Sequence, residues 1–110
     1  MIAAAKVDSA YLYTPGNDDT DYQARMFSPT AGIPEDPATG SATAILASQL
    51  LSCGALEEGT NRLALLQGVE MGRRSELGLE IDLAGNAISA VRVSGSAVPI
   101  GSGNICVPQA

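Results

Sequence analysis

Residues 32–42 read GIPEDPATGSA, and they decide the fold because a stiff acidic loop runs here directly into the start of a helix. Pro34 and Pro37 each fix their own φ and push the preceding residue towards an extended conformation. Glu35 and Asp36 therefore lie on a rigid segment. The sequence predicts that the two carboxylates have defined positions.

A helix is predicted from Gly40 to about Cys53, because this stretch has no proline, no internal glycine and no charge. Its apolar residues spread over most of the helical circumference, which is typical of a buried helix, and Gly54 supplies a stop. Thr39 or Ser41 can serve as N-cap. The unpaired N–H groups of the first turn carry partial positive charge, so we predict that a small carboxylic acid or another anion binds there.

The remaining segments predict strands. Residues 77–83 alternate between apolar residues and small or charged ones, which predicts a strand with one solvated face. Gly85-Asn86 predicts a tight turn after it, because both residues accept positive φ. The other predicted strands are residues 9–14, 22–27, 62–67, 87–93 and 97–100. Strands around one helix indicate an α+β fold, and with 110 residues we expect a single domain over the whole chain.

Composition excludes several classes of function. The chain has a formal net charge of -6, and its six basic residues are scattered, so we expect no nucleic-acid or membrane partner. It has no histidine and only two distant cysteines, which predicts no metal site. Residues 1–6 lack the pattern of a signal peptide, and no window approaches eighteen apolar residues. We therefore expect a cytoplasmic protein.

Four segments, in this order along the chain, resemble the phenazine-biosynthesis PhzF-like family, which comprises isomerases with the diaminopimelate-epimerase fold. They are residues 10–15 (AYLYTP), 24–29 (ARMFSP), 35–42 (EDPATGSA) and 67–73 (QGVEMGR). The resemblance covers almost the whole chain but only the second of the family's two similar domains. It implies a half-barrel in which a bent, mostly antiparallel sheet surrounds one central buried helix.

Chemistry and resemblance together select the candidate residues. Without histidine, and because tyrosine and lysine are too basic, proton transfer at neutral pH falls to the carboxylates of Glu35 and Asp36. The resemblance favours Asp36, whose counterpart in the family shuttles protons with a glutamate base from the other domain. It also implies that Gly40 and Ser41 hold a substrate carboxylate without any cofactor. We expect the ligand to contact backbone N–H groups near Thr39, Gly40 and Ser41.

The chain departs from the family's pattern at several points. The glutamate base and the glycine-histidine motif of the first domain have no counterpart here. Gln23 stands where the family often has histidine. Arg74 directly follows residues 71–73 (MGR), at a position where the family commonly has proline. Three interpretations remain open: a homodimer or a separate first-domain partner rebuilds the cleft, the chain is a noncatalytic domain that binds a small acid or a protein, or it is a fragment of a longer isomerase.

Overall fold

The computed structural model describes residues 8–109, so the expectation about a signal peptide in residues 1–6 falls outside the described residues. Over these residues the fold is α+β, with a bent, open, six-stranded sheet and one α-helix, as predicted. The elements in chain order are β1 (Ala10–Pro15), β2 (Tyr22–Ser28), a 3-10 turn (Pro29–Ala31), β3 (Ile33–Asp36), α1 (Gly40–Ser52), β4 (Gly59–Gln67), β5 (Ser75–Ala84) and β6 (Ala87–Gly95).

The sheet is mostly antiparallel, with the order β1-β2-β4-β5-β6, and β3 pairs additionally with β2. The pairing of β2 with β4 is parallel and brings Gln67 opposite Ala24. The pairing of β2 with β3 brings Asp36 opposite Met26. Because β1 occupies the other edge of β2, both β3 and the end of β4 pair with the same edge of β2. Their partners there, Met26 and Ala24, are only two positions apart. The topology therefore brings Asp36 and Gln67 together.

Helix α1 packs one face against the sheet. Its buried residues are Thr43, Leu46, Ala47 and Leu50, which recur at helical spacing. Leu50 and Ile81 are fully buried in the core that the helix shares with β4 and β5. The opposite face is open, and Ile45 is 72% exposed. The expectation of a helix buried on all sides is therefore wrong for this face, because an open sheet covers only one side of the helix.

The turns confirm most of the predicted boundaries. Helix α1 begins at Gly40 as predicted, and Gly54 follows its end with a φ of 73°. The N–H of Gly54 bonds the carbonyl of Leu51, and the N–H of Ala55 bonds that of Leu50, which is the Schellman arrangement. Gly85 and Asn86 have φ values of 58° and 65°, so the predicted tight turn between β5 and β6 is confirmed.

Two strand assignments differ from the sequence prediction. The acidic segment is itself a short strand, β3, because its extended residues pair with β2. The strand predicted at residues 97–100 is absent, and residues 96–109 have no regular structure. Pro99 removes one ladder donor from this short run, and Val98 and Ile100 remain 79% and 97% exposed, without a face to pack on. Among the described residues, no helix is long and apolar enough to cross a membrane.

Candidate functional site

Asp36 and Thr39 form a hydrogen-bonded turn between β3 and α1. Asp36 is half-buried at the end of β3, and its Oδ2 accepts a hydrogen bond from the Thr39 hydroxyl. Thr39 occupies the N-cap position with φ -127° and ψ 91°, but its side chain makes no capping bond to the helix. An N-cap threonine ordinarily accepts a bond from the N–H groups of the first turn. Here that hydroxyl is directed at Asp36, which leaves those N–H groups to other partners.

The side chain of Gln67 is hydrogen-bonded to both residues of this turn. Its side chain is fully buried at the end of β4. Its Nε2 donates to the Asp36 carbonyl at 2.8 Å and to the Thr39 Oγ1 at 2.9 Å, and its Oε1 accepts from the Thr39 N–H at 3.1 Å. All the polar atoms of one buried side chain are thus used on two residues of the acidic turn.

A second layer of hydroxyl groups supports Thr39 from within the helix. Thr43 is fully buried, and both its N–H and its hydroxyl donate to the Thr39 carbonyl, at 3.1 and 2.8 Å. The Tyr11 hydroxyl on β1 lies 3.4 Å from the Thr43 Oγ1. Burial raises the pKa of Tyr11, against a smaller lowering by the Thr43 bond, so this phenol stays neutral at physiological pH.

An arginine joins the acidic strand to the rest of the sheet. Arg25 on β2 donates to both carboxylate oxygens of Glu35, at 2.9 and 3.1 Å, and its guanidinium lies 4.9 Å from the centre of the Phe27 ring. Its hydrogen bond lowers the pKa of Glu35, so this carboxylate stays ionised. Gln23 donates to Glu70 at 2.7 Å, and Arg25 lies 4.0 Å from the same carboxylate. Glu35 is therefore a structural carboxylate.

The loop after β4 packs closely on the acidic turn. Gly68 has a φ of 78°, and a Cβ atom at this position would lie only 2.3 Å from the Arg73 carbonyl oxygen and 2.9 Å from the Pro37 carbonyl oxygen. The loop closes on itself where the Arg73 N–H donates to the Gly68 carbonyl at 2.8 Å. Only glycine satisfies both the backbone conformation and this approach. Glycine at position 68 therefore lets the loop after β4 pack directly against Pro37, the residue that follows Asp36.

An open groove of about 570 Å³ lies beside the helix start. Its lining includes Gly40, Ala38, Val93 and the ion pair of Arg74 with Glu76, whose charged atoms lie 3.0 Å apart. A Cβ atom at Gly40 would meet only the Val93 side chain, at 3.8 Å, so the helix start is accessible from this side. Ser41 is exposed. Of the residues predicted from sequence, Asp36 and Thr39 are brought into direct contact, Gly40 lines the groove, and Ser41 follows it as an exposed residue of the first helical turn.

Sequence reasoning assigned no role to Gln67, Thr43 or Tyr11. Gln67 had a detectable signal, because it stands two residues after the buried Leu65 and therefore on the same face of β4. A polar residue on a buried face requires buried partners. Among residues 8–109, no group of three or more cysteine, aspartate or glutamate side chains is arranged to hold a metal ion.

Comparison with known proteins identifies similar sequences. The model of the phenazine biosynthesis-like protein family matches residues 5–103. An uncharacterized isomerase of Mesorhizobium japonicum is 35% identical over 101 residues, covering 90% of this chain and 33% of the relative. The trans-2,3-dihydro-3-hydroxyanthranilate isomerase of Pseudomonas chlororaphis is 42% identical over 84 residues, covering 76% of this chain and 30% of the relative. The chain thus spans about a third of the length of these curated relatives.

Proposed function

This chain belongs to the phenazine biosynthesis-like protein family of PhzF-like isomerases, and we propose that it supplies one wall of a cofactor-independent isomerase site for a small amino or hydroxy acid. The observation that carries the proposal is the half-buried Asp36 carboxylate beside the start of α1. The N-cap residue Thr39 directs its hydroxyl to this carboxylate and makes no capping bond to the helix. This combination offers a proton acceptor and a carboxylate-binding group next to each other.

In the proposed reaction Asp36 exchanges a proton with a carbon atom of the bound acid. The carboxylate takes the proton, the C–H electron pair passes into the adjacent carboxyl group, and a second acid returns a proton to carbon. The N–H groups near Gly40 and Ser41, with the Ser41 hydroxyl, hold the oxygens on which negative charge develops. Thr39 contributes through Asp36, because its hydroxyl donates to Asp36 and its N–H is already bonded to Gln67 on β4.

We propose that the opposite wall comes from a second copy of the chain or from a separate first-domain partner. The groove is open to solvent, and proton transfer to carbon requires a site from which water is excluded. Exposed apolar side chains support an assembly of this kind. The most exposed of them are Ile45 on the outer face of α1 at 72% and, after β6, Val98, Ile100, Ile105 and Val107 at 79, 97, 93 and 85%.

A homodimer is the simpler of the two arrangements. A two-fold axis would place the Asp36 of one copy opposite the Asp36 of the other, so that two carboxylates face one substrate. One carboxyl group would then act as the acid and the other as the base, in place of the family's glutamate and aspartate.

A noncatalytic role is the alternative function. The chain spans about a third of its relatives, and the family's glutamate base and glycine-histidine motif have no counterpart in its sequence. A domain with one carboxylate and a helix start retains the means to bind a small acid or a protein without turning it over. A fragment of a longer isomerase would have the same properties.

Proton exchange with solvent separates these functions. Alanine, serine and lactate are incubated with the protein in deuterated water, and loss of the α-proton signal is followed by NMR. An active dimer should exchange at least one of them with a bell-shaped dependence on pH, and Asp36→Asn should lose this exchange while the oligomeric state is unchanged. If Asp36→Asn exchanges as fast as the parent, Asp36 is not the proton-transferring group.

A further inference from the structure

We propose that Gln67 is a positioning residue that keeps the Thr39 hydroxyl on Asp36 and thereby leaves the first-turn N–H groups open to a ligand. The inference rests on the proposed function, in which those N–H groups hold a carboxylate. Gln67 and Thr43 are the two fully buried polar side chains among residues 8–109, and Gln67 alone touches both Asp36 and Thr39 through its side chain.

The orientation of the Gln67 amide is fixed by its neighbours. The Thr39 N–H can only donate, so the amide atom beside it at 3.1 Å is the oxygen. The Asp36 carbonyl can only accept, so the atom beside it at 2.8 Å is the nitrogen. A rotated amide would place two donors or two acceptors against each other at both points. Two independent contacts therefore determine which end of Gln67 faces the Thr39 hydroxyl.

The Gln67 amide in turn determines what the Thr39 hydroxyl does. Its Nε2 donates to the Thr39 Oγ1 at 2.9 Å, so this oxygen acts as an acceptor there. A hydroxyl has a single proton, and with Gln67 on the acceptor side that proton is directed to the Asp36 Oδ2. The order of donation is Gln67 to Thr39 to Asp36. An apolar side chain at position 67 would break this order at its first step.

Without the Gln67 donor, the Thr39 hydroxyl has a competing position. In the N-cap geometry a threonine oxygen accepts from the N–H of the second or third helical residue, here Ser41 or Ala42. These are N–H groups that the proposed function assigns to a bound carboxylate. Capping by the Thr39 hydroxyl would compete with the ligand for these N–H groups. Gln67 therefore favours ligand binding, because it keeps the Thr39 hydroxyl away from them.

The first test measures the Thr39 side chain directly. Three-bond couplings in NMR spectra give the χ1 rotamer of Thr39 in the parent and in Gln67→Met, which has nearly the same size but no donor or acceptor of comparable strength. We expect one rotamer in the parent and a different or averaged rotamer in the variant. Gln49→Met, at an exposed position on α1, is the matched control and should leave Thr39 unchanged. If Gln67→Met does not fold, the shorter and still polar Gln67→Asn tests the same loss of contact.

The second test uses sulfate as a probe and calorimetry as the readout. Gln67→Met should weaken sulfate binding about tenfold. This is the effect expected when the Thr39 hydroxyl competes with sulfate for one hydrogen bond from a first-turn N–H group. Adding Thr39→Val, which has no hydroxyl to cap the helix, should restore most of the parent affinity. A merely structural role for Gln67 would give no such rescue.

The outcomes separate the positioning role of Gln67 from the proposed binding site at the helix start. An unchanged Thr39 rotamer in Gln67→Met and in Gln67→Asn, or a loss of binding that Thr39→Val does not restore, would overturn the positioning role. A changed rotamer together with a parent protein that does not bind sulfate would support the positioning role and count against the proposed binding site.

Discussion

The guanidinium of Arg25 on β2 contacts both carboxylate oxygens of Glu35 on β3, with nitrogen–oxygen distances of 2.9 and 3.1 Å. The contact crosses the pairing of β2 with β3 and fixes the strand that ends at Asp36. Because Glu35 directly precedes Asp36, their side chains point to opposite sides of the strand. One carboxylate anchors the segment, and the other is available for chemistry.

This ion pair predicts a specific loss of stability in acid. Arg25 lowers the pKa of Glu35 in the folded state, so the pair stabilises the fold above the ordinary glutamate pKa of about 4.3 and loses this contribution as pH falls below it. Urea unfolding at pH 7 and pH 3 should show a smaller difference in Glu35→Gln than in the parent. Arg25→Met should reduce the difference in the same way, because it removes the cause of the shift. The same loss of unfolding free energy between pH 7 and pH 3 in all three proteins would contradict this role of the ion pair.

The approach of Gly68 to Pro37 predicts an unequal pair of glycine substitutions. Gly68 and Gly72 have nearly the same φ, 78° and 75°, but a Cβ atom meets close backbone atoms only at Gly68. Both alanine variants should lose about 1–3 kcal/mol for the positive φ. Gly68→Ala should lose clearly more in urea unfolding, because the carbonyl groups of Arg73 and Pro37 must both move. Equal losses in the two variants would show that the close packing of Gly68 against Arg73 and Pro37 is unimportant.

The contrast between the two faces of α1 predicts different costs of truncation. Leu50 is fully buried in the core, so Leu50→Ala should cost about 2–5 kcal/mol of unfolding free energy. Ile45 is exposed on the other face, and Ile45→Ala should change the stability of the monomer by no more than about 0.5 kcal/mol. Measurements on dilute protein separate this effect from self-association. A large cost at Ile45 in dilute solution would indicate that the helix is covered on both faces within one chain.

The exposed segment after β6 predicts self-association. At tens of micromolar, sedimentation should show a dimer, and Ile100→Glu should weaken it because a charge replaces an apolar side chain at the contact. Ser102→Glu adds the same charge to the same segment without removing an apolar group, so it should weaken the dimer much less. A monomer at this concentration would count against the homodimer and favour a separate partner or the fragment interpretation.

The sequence predicted the elements whose signals are local. Gly54 and Gly85-Asn86 end their elements as expected, since positive φ is a property of single residues. The outer face of α1 could not be predicted, because Ile45 looks like a core residue until the extent of the sheet is known. The contact of Gln67 with Thr39 depends on the parallel pairing of β2 with β4, which joins residues far apart in the chain. Such pairing leaves no local mark in the sequence.

The accessibility of Gly40 predicts how the proposed binding site can be blocked. A side chain here would extend into the groove beside Val93. We expect a branched side chain to cover the backbone N–H groups of the first turn. Gly40→Val should abolish sulfate binding in calorimetry and keep the fold. Ser48→Val, at an exposed position of the same helix, introduces the same β-branched side chain away from the groove and should bind like the parent. Unchanged affinity in Gly40→Val would remove the helix start as the site.

Titration of isotopically labelled protein with acetate, followed through the backbone amide signals, shows directly whether a small carboxylic acid binds at the start of α1. We expect saturable shifts that are largest for the amides of Gly40, Ser41 and Ala42, with smaller shifts at Asp36 and Thr39, and no such response in Gly40→Val. Saturable shifts centred elsewhere, or none at millimolar acetate, would contradict the claim that the acidic turn and the start of α1 form the binding site for a small carboxylic acid.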